Sequence, residues 1–550
     1  MEISIIAPKA RYCGISQYTR DLYEHLLKTT PSLKGQVRFS VSSFTVGPFV
    51  NVIGIALKMF VKCPKVLHFQ YHPGLIAPVV PIVGRWIYRV NVIMLYGLIL
   101  LYSYLSRIFR SHFLPKICIT VHGFSFPVDR IFQNMLSKFH YIIVHSDFAR
   151  EALIKCGLPP SKIRVIPHGI PIFNKIRRNY GREKEVKVVI FGFIHENKGH
   201  DIAIKALQFL PRHYKLLICG SPRIRAHYPY FYKLKAMVSA LGLNDRVKFL
   251  GFIPNERLQE IMKECDCAIY PYLWPDNWIE SSGALGIPIS YGLPVIASDT
   301  AVFKEIYNKY KCLRLVKRGD PQDLASAIRQ VVEDEKFRKE LLDNMSTFQE
   351  AASWKKVADL TLNTYLELIV DHPDYIYEDE SQRSRLTWLR SQCQGKILEV
   401  GCATGYVTTY VGAICGVDIR PDRLFLAKRK YPQIEFILSN ATRLPFKDSS
   451  FDTVLLPDIL EHMNFKVAAK AIREAIRVSK RLVVITLPRA EHQSYKTDTV
   501  TGRLNPEHLW DPTEGKIKDL FRDYKYELHT SSDGKFWLVK VILDKGRNIK

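Results

Sequence analysis

Glu280-Ser281-Ser282-Gly283-Ala284-Leu285-Gly286-Ile287-Pro288-Ile289-Ser290-Tyr291-Gly292-Leu293-Pro294-Val295-Ile296-Ala297-Ser298-Asp299 sets an acid and three small residues ahead of apolar turns, a Gly-x-Pro and a short buried strand. This order predicts a ligand loop feeding a helix. At such a helix start the unpaired N–H groups of Ser281, Ser282 and Gly283 coincide with the positive end of the macrodipole, an arrangement suited to a diphosphate. The same residues also suit a purely structural start, with Ser282 as N-cap and Gly283 fitting a tight turn.

Upstream, Val188 to Phe191 reads as an apolar strand and is followed by Gly192-Phe193-Ile194-His195-Glu196-Asn197-Lys198-Gly199. Lys198 puts a cation beside a second candidate phosphate turn, and two such turns in one βα array point to one ligand. Further out, apolar strands at Ile3 to Ala7, Val37 to Ser42, Val66 to Gln70, Ile117 to Val121 and Tyr141 to Val144 alternate with helical stretches. The alternation predicts parallel sheets covered by helices. Gly14-Ile15 after the first strand allows close backbone approach to a ligand. His122 ends a strand, at the edge where open α/β sheets bind ligands.

These pieces, with Val121-His122-Gly123, Val144-His145-Ser146, Ile166-Pro167-His168-Gly169 and Gly292-Leu293-Pro294-Val295 in order, resemble the family 4 retaining glycosyltransferases over about residues 1 to 370. The resemblance implies an α/β protein of GT-B architecture, two facing Rossmann-like domains, with 1–175 on the acceptor side and 176–370 on the donor side. It implies a nucleotide sugar as co-substrate and a glycan or lipid-linked acceptor. By the same resemblance Gly14, His195, Lys198, Ser281, Ser282 and Gly283 bind the donor, and His122 and Glu280 are catalytic. No nucleophile is assigned; the protein's part is donor positioning and stabilisation of the leaving diphosphate. Phe193 and His195 stand near where the family usually carries an Arg, and Ile287-Pro288 where it carries a second Glu.

Asp371 to Glu380 is acidic and contains Pro, marking a linker over 371–390. Beyond it, strand Lys396 to Val400 opens into Gly401-Cys402-Ala403-Thr404-Gly405, and a second short strand ends at Asp418, the strand, glycine loop and acid of a nucleotide-binding unit. With Asn440-Ala441-Thr442-Arg443-Leu444-Pro445-Phe446 and Phe451 to His462, this region resembles the class I S-adenosylmethionine-dependent methyltransferases of type 11. The resemblance implies a third Rossmann-like domain over 391–550 with S-adenosyl-L-methionine as cofactor. It implies cofactor contacts from Glu399, Gly401, Ala403, Gly405, Asp418, Asn440, Ala441 and Asp458. For an oxygen acceptor a general base helps, and His462 and His508 are candidates, although Glu461-His462 also suits a polar pair at a helix start.

The 550 residues, 47% hydrophobic and 24% charged, predict three globular domains. The 11 cysteines are scattered, and Cys265-x-Cys267 lacks partners at zinc spacing, so free thiols in a reducing cytosol and no metal are expected. Residues Met1 to Pro8 already read as a buried strand, and no signal peptide is expected. Net charge is +26, and residues 1–120 hold 14 Lys or Arg against 3 Asp or Glu. Such a field attracts phosphorylated substrates or an anionic membrane face; without a recognisable nucleic-acid motif, nucleic acid is the weaker partner. The uncharged, Arg-flanked stretch 90–106 is short for a spanning helix and suits a core or an interfacial one.

Overall fold

The computed structural model describes residues 2–9, 14–29, 38–45, 64–71, 97, 116–173, 185–223, 225–370, 380–490 and 508–543. The chain forms two compact units, Met1–Leu362 and Asn363–Lys550. The stretch 90–106, apart from Gly97, and the core of the expected linker, 371–379, lie outside the described residues.

The first unit holds two parallel sheets. The first contains β1 (Glu2–Lys9), β2 (Arg38–Thr45), β3 (Val66–Tyr71), β4 (Lys116–Val121), β6 (Tyr141–Val144) and β7 (Ile163–Val165), in the order β2-β1-β3-β4-β6-β7. The second contains β8 (Val186–Phe191), β9 (Tyr214–Cys219), β10 (Val247–Gly251), β11 (Cys267–Tyr270), β13 (Val295–Ser298) and β14 (Leu313–Val316), in the order β10-β9-β8-β11-β13-β14. Strands β3, β6, β11 and β13 are buried at every position, as expected when helices cover both faces. Each fully buried Val, Ile or Leu contributes about 1.5–3 kcal/mol.

One element was invisible to hydrophobic patterning. β5 (Gly123–Ser125) and β12 (Trp278–Glu280) form a two-stranded antiparallel ladder that ties the segment after β4 to the segment after β11. Three residues a side are too few to show a period.

The second unit carries β15 (Ile397–Val400), β16 (Cys415–Asp418), β17 (Glu435–Leu438), β18 (Phe451–Pro457), β19 (Ser479–Pro488), β20 (Tyr526–Thr530) and β21 (Phe536–Ile542). They lie in the order β17-β16-β15-β18-β19-β21-β20, with β21 antiparallel to both neighbours. The order reverses between β15 and β18, which makes their carboxyl ends the ligand crevice of an open α/β sheet. Among the described residues no helix is long and apolar enough to cross a membrane.

Candidate active sites

Beyond the carboxyl end of β4, three histidines and a tyrosine meet. His145 Nδ1 lies 2.8 Å from the Ile166 carbonyl, which can only accept, so Nδ1 carries the proton. Burial, helped by neighbouring His168, lowers the His145 pKa to about 3, and the ring is neutral at ordinary pH. Its Nε2 then accepts from His122 Nδ1–H at 3.0 Å. The other His122 nitrogen is 2.7 Å from Gln70 Oε1, a contact that needs a second proton on the ring or a turn of the amide that presents its NH2. His122 is thus fixed at both nitrogens. Tyr18, one turn into the helix Gly14–Thr29, meets His122 edge-on at 4.8 Å, and His168 lies 5.0 Å from the same ring. Gly14 therefore opens the helix that walls this cluster.

The β5–β12 ladder brings Glu280 to it. Glu280 pairs with Gly123, directly after His122, and a Cβ at Gly123 would lie 3.3 Å from the Glu280 side chain. Glu280 Oε2 accepts from the Trp278 indole N–H at 2.8 Å.

The two candidate phosphate turns also converge. Lys198 sits in a short turn, Glu196–Lys198, closed by Gly199 at φ 67°, where a Cβ would strike the Pro271 carbonyl oxygen at 1.8 Å. Its ammonium lies 3.9 Å over Tyr272 and 4.5 Å over Trp274. The Tyr272 hydroxyl in turn bonds Ser282 Oγ at 2.9 Å, and a Cβ at Gly192 would be 3.3 Å from Ala284. The helix expected after the serine loop is short: a turn at Gly283–Leu285 runs into a helix of five residues, Gly286–Ser290. Ser282 takes the N-cap position of that turn, as the structural alternative expects, but makes no side-chain capping bond, its hydroxyl meeting Tyr272 instead. Gly283 approaches His168 so closely that a Cβ would come within 2.9 Å of the ring. Ser281 and Ser282 line a cleft of about 370 Å³ together with His145, His168 and Glu305.

His195 accepts from Asn197 N–H at 3.1 Å and meets His227 edge-on at 4.5 Å. Arg223, from the loop after β9, lies 5.7 Å over the Phe193 ring. It brings a guanidinium to the neighbourhood where the local sequence carries Phe193; nothing in the surrounding residues signals this.

In the second unit the loop after β15 is held from beneath. Gly401, Ala403 and Gly405 have φ of 80°, 44° and 81°. Ala403 is the costly one, since a Cβ disfavours this region, and its N–H donates to Asp418 Oδ2 at 2.8 Å. Asp418 Oδ1 accepts from Arg420 N–H at 2.8 Å, which leaves each oxygen one lone pair for a ligand. Glu399 is buried and accepts from the Thr408 hydroxyl; burial raises its pKa to about 8. It supports the loop from inside the sheet rather than lining a surface. Asn440 Oδ1 accepts from the Thr442 N–H and hydroxyl at 2.9 Å each, leaving its NH2 for a ligand, beside buried Ala441. Asp458, at φ 48°, accepts from Thr486 Oγ1 at 2.7 Å and pairs with Arg385 at 2.7 Å. Arg385 is 1% exposed and was not foreseen. Beyond β18, His462 and His508 lie with ring centroids 5.1 Å apart beside buried Glu461.

Glycine loop, acid after the second strand and a crevice at the point of strand reversal fit a methionine-derived nucleoside cofactor: carboxylate acceptors for a diol and open backbone for its amino-acid end. The fold therefore defines a GT-B pair of Rossmann-like domains in one unit and a class I methyltransferase domain in the other. Residues 14–172 match the family described as Glycosyltransferase Family 4, residues 172–347 that of Glycosyl transferases group 1, and residues 398–485 that of Methyltransferase domain. The chain carries glycosyltransferase and methyltransferase domains.

An uncharacterized glycosyltransferase of Methanocaldococcus jannaschii is 26% identical over 41% of this chain and 59% of its own. A D-inositol 3-phosphate glycosyltransferase of Acidothermus cellulolyticus is 28% identical over 40% of this chain and 52% of its own. A demethylmenaquinone methyltransferase of Chlorobaculum tepidum is 32% identical over 22% of this chain and 49% of its own. The chain thus spans about half to three fifths of the curated relatives it matches. The solved structure of Anabaena Alr3699/HepE in complex with UDP superposes with TM-score 0.50 at 17% identity, covering 66% of this chain and 99% of that one.

Proposed function

We propose that the protein is a bifunctional enzyme of glycan or glycolipid biosynthesis, transferring a sugar with retention from a nucleotide-activated donor and a methyl group from S-adenosylmethionine. The observation that carries the first half is the run of contacts from Lys198 over Tyr272 to Ser282, which lines, with Ser281, a cleft shared with His145 and His168. In this reading Lys198 and the Ser281–Gly283 backbone bind the donor diphosphate, with Gly14 and His195 at its margins, and Arg223 supplies the cation that Phe193 does not. His122 and Glu280 face the donor sugar. The nucleotide sugar supplies an activated anomeric carbon; the chain's own residues orient it and balance charge on the departing diphosphate.

The second half rests on the loop joined to Asp418 through Ala403. Asp418 would hold the cofactor ribose, Asn440 and Ala441 its adenine edge, and Gly401, Ala403 and Gly405 its amino-acid end. The cofactor supplies an electrophilic methyl group. Glu399 and Asp458 hold the loops in place, and His462 takes the acceptor proton. The positive field of residues 1–120 supports work at the inner face of a membrane, on a lipid-linked acceptor.

A second reading keeps methyl transfer and makes the first unit a glycan-binding or membrane-docking module. Ile287-Pro288 in place of a second Glu favours it. Titration of the full chain with S-adenosylmethionine and with a panel of nucleotide sugars tests both: saturable binding of each is expected, and loss of either class removes that half.

A further inference from the structure

Glu461, His462 and His508 each offer one ligand atom, and these atoms lie within 4.8 Å of one another. Two bonds hold the group together across a long stretch of chain. Leu509 N–H donates to the Glu461 carbonyl at 2.8 Å, and the Trp510 indole N–H donates to the Leu460 carbonyl at 2.8 Å. His508 is thereby carried opposite His462, their rings inclined by 69°. Glu461 is 1% exposed, and among the described residues its Oε2 has no hydrogen-bond partner. A buried carboxylate oxygen left this way is costly, and a bound cation relieves the cost.

We propose that Glu461, His462 and His508 bind one divalent transition-metal cation. Two imidazoles and a carboxylate suit manganese, iron, cobalt, nickel or zinc; magnesium and calcium favour sets made of oxygen. Metal–nitrogen bonds of roughly 2.0–2.1 Å bring ligand atoms to roughly 3–4 Å of one another, so small rotations of the two rings close the set. Three protein ligands leave coordination positions open. Those positions border the crevice at the strand reversal: Ile459, two residues before Glu461, packs so tightly on Gly401 that a Cβ there would lie 2.3 Å from its Cδ1. The ligand class is accordingly a hydroxyl or vicinal diol of the methyl acceptor, polarised by the cation. This deepens the methyltransferase reading: the cation would acidify the acceptor hydroxyl so that its proton passes to water in place of His462, while the oxygen takes the methyl group and the cofactor's sulfur leaves as a thioether.

The test uses the full-length chain, stripped with a chelator and titrated with cobalt(II), read by its visible absorption and by calorimetry with zinc. One equivalent per chain is expected. His462→Asn and His508→Asn should each weaken uptake about 100-fold and Glu461→Gln at least about tenfold. Circular dichroism identifies any variant that fails to fold, and the remaining two then decide. Uptake equal in the native chain and in the folded variants, or no uptake by the native chain, overturns the proposal. Neither readout needs cofactor or acceptor, so retained S-adenosylmethionine binding without metal uptake would sink this site and leave methyl transfer standing.

Discussion

Gly123 and Glu280 are register partners in a three-residue antiparallel ladder, and through it the histidine that follows β4 is neighbour to the acid that ends β12. The ladder leaves little room for a side chain at position 123, where a Cβ would sit 3.3 Å from the Ile279 carbonyl oxygen as well as from Glu280. Gly123→Val should therefore push the strands apart at a cost of about 1–3 kcal/mol. Glycosyl transfer is expected to fall by at least about tenfold, with methyl transfer unaltered. Equal rates for mutant and native chain would separate the ladder from the chemistry.

His145→Phe keeps the ring volume and removes the acceptor that orients His122. Losing one hydrogen bond to a buried polar partner costs about 1–3 kcal/mol, so kcat for sugar transfer should drop roughly 5- to 100-fold with little change in donor affinity. Because burial holds His145 neutral down to about pH 3, its titration should not appear in a rate profile between pH 5 and 8. An ionisation in that window abolished by His145→Phe would contradict the assigned proton pattern.

Glu399 gives the second unit a pH-dependent stability. Its folded pKa, raised to about 8 by burial, exceeds the ordinary carboxyl value, so the folded state holds the extra proton between about pH 4.5 and 8. Stability present at low pH is lost as pH rises through that window. Thermal unfolding of the second unit should shift downward from pH 5 to pH 8, and Glu399→Gln should flatten the slope. A slope unchanged by the substitution would locate the proton elsewhere.

Arg385→Met leaves the Asp458 carboxylate without its 2.7 Å partner and removes a guanidinium that also donates to Thr486 Oγ1 at 3.0 Å. Asp458 is partly exposed, so water offsets part of the loss, and destabilisation of about 2–4 kcal/mol is expected by chemical denaturation of the second unit. Cofactor affinity should fall with it, since Asp458 holds its backbone at φ 48° beside the loop. Unchanged stability would make the pair incidental.

Strands were legible where the chain is uniformly apolar: the reading of Tyr141 to Val144 coincides with β6, and that of Val188 to Phe191 falls within β8. Val37 to Ser42 starts one residue before β2 and stops three short of its end, where polar serines blur the pattern. The helix expected after Ser282 came out short because Gly286 and Pro288 weaken it from within. Glycine motifs marked the turn closed by Gly199 and the loop after β15, since their residue types answer to local backbone geometry. What the sequence withheld was long-range: the Gly123–Glu280 pairing, Arg223 over Phe193, Arg385 on Asp458, and the bonds that draw His508 to Glu461. None of these leaves a spacing to read. His462 and His508 were recognised singly as bases; only the fold makes them, with Glu461, a candidate ligand set.

The most direct measurement is calorimetric titration of the full chain with uridine, guanosine and adenosine diphosphate sugars, repeated on Lys198→Ala. The account predicts that one donor binds and that the substitution weakens it by at least about tenfold, the loss of one ammonium from a diphosphate site. Binding of no donor across the panel, or equal affinity in the native and Lys198→Ala chains, would contradict it.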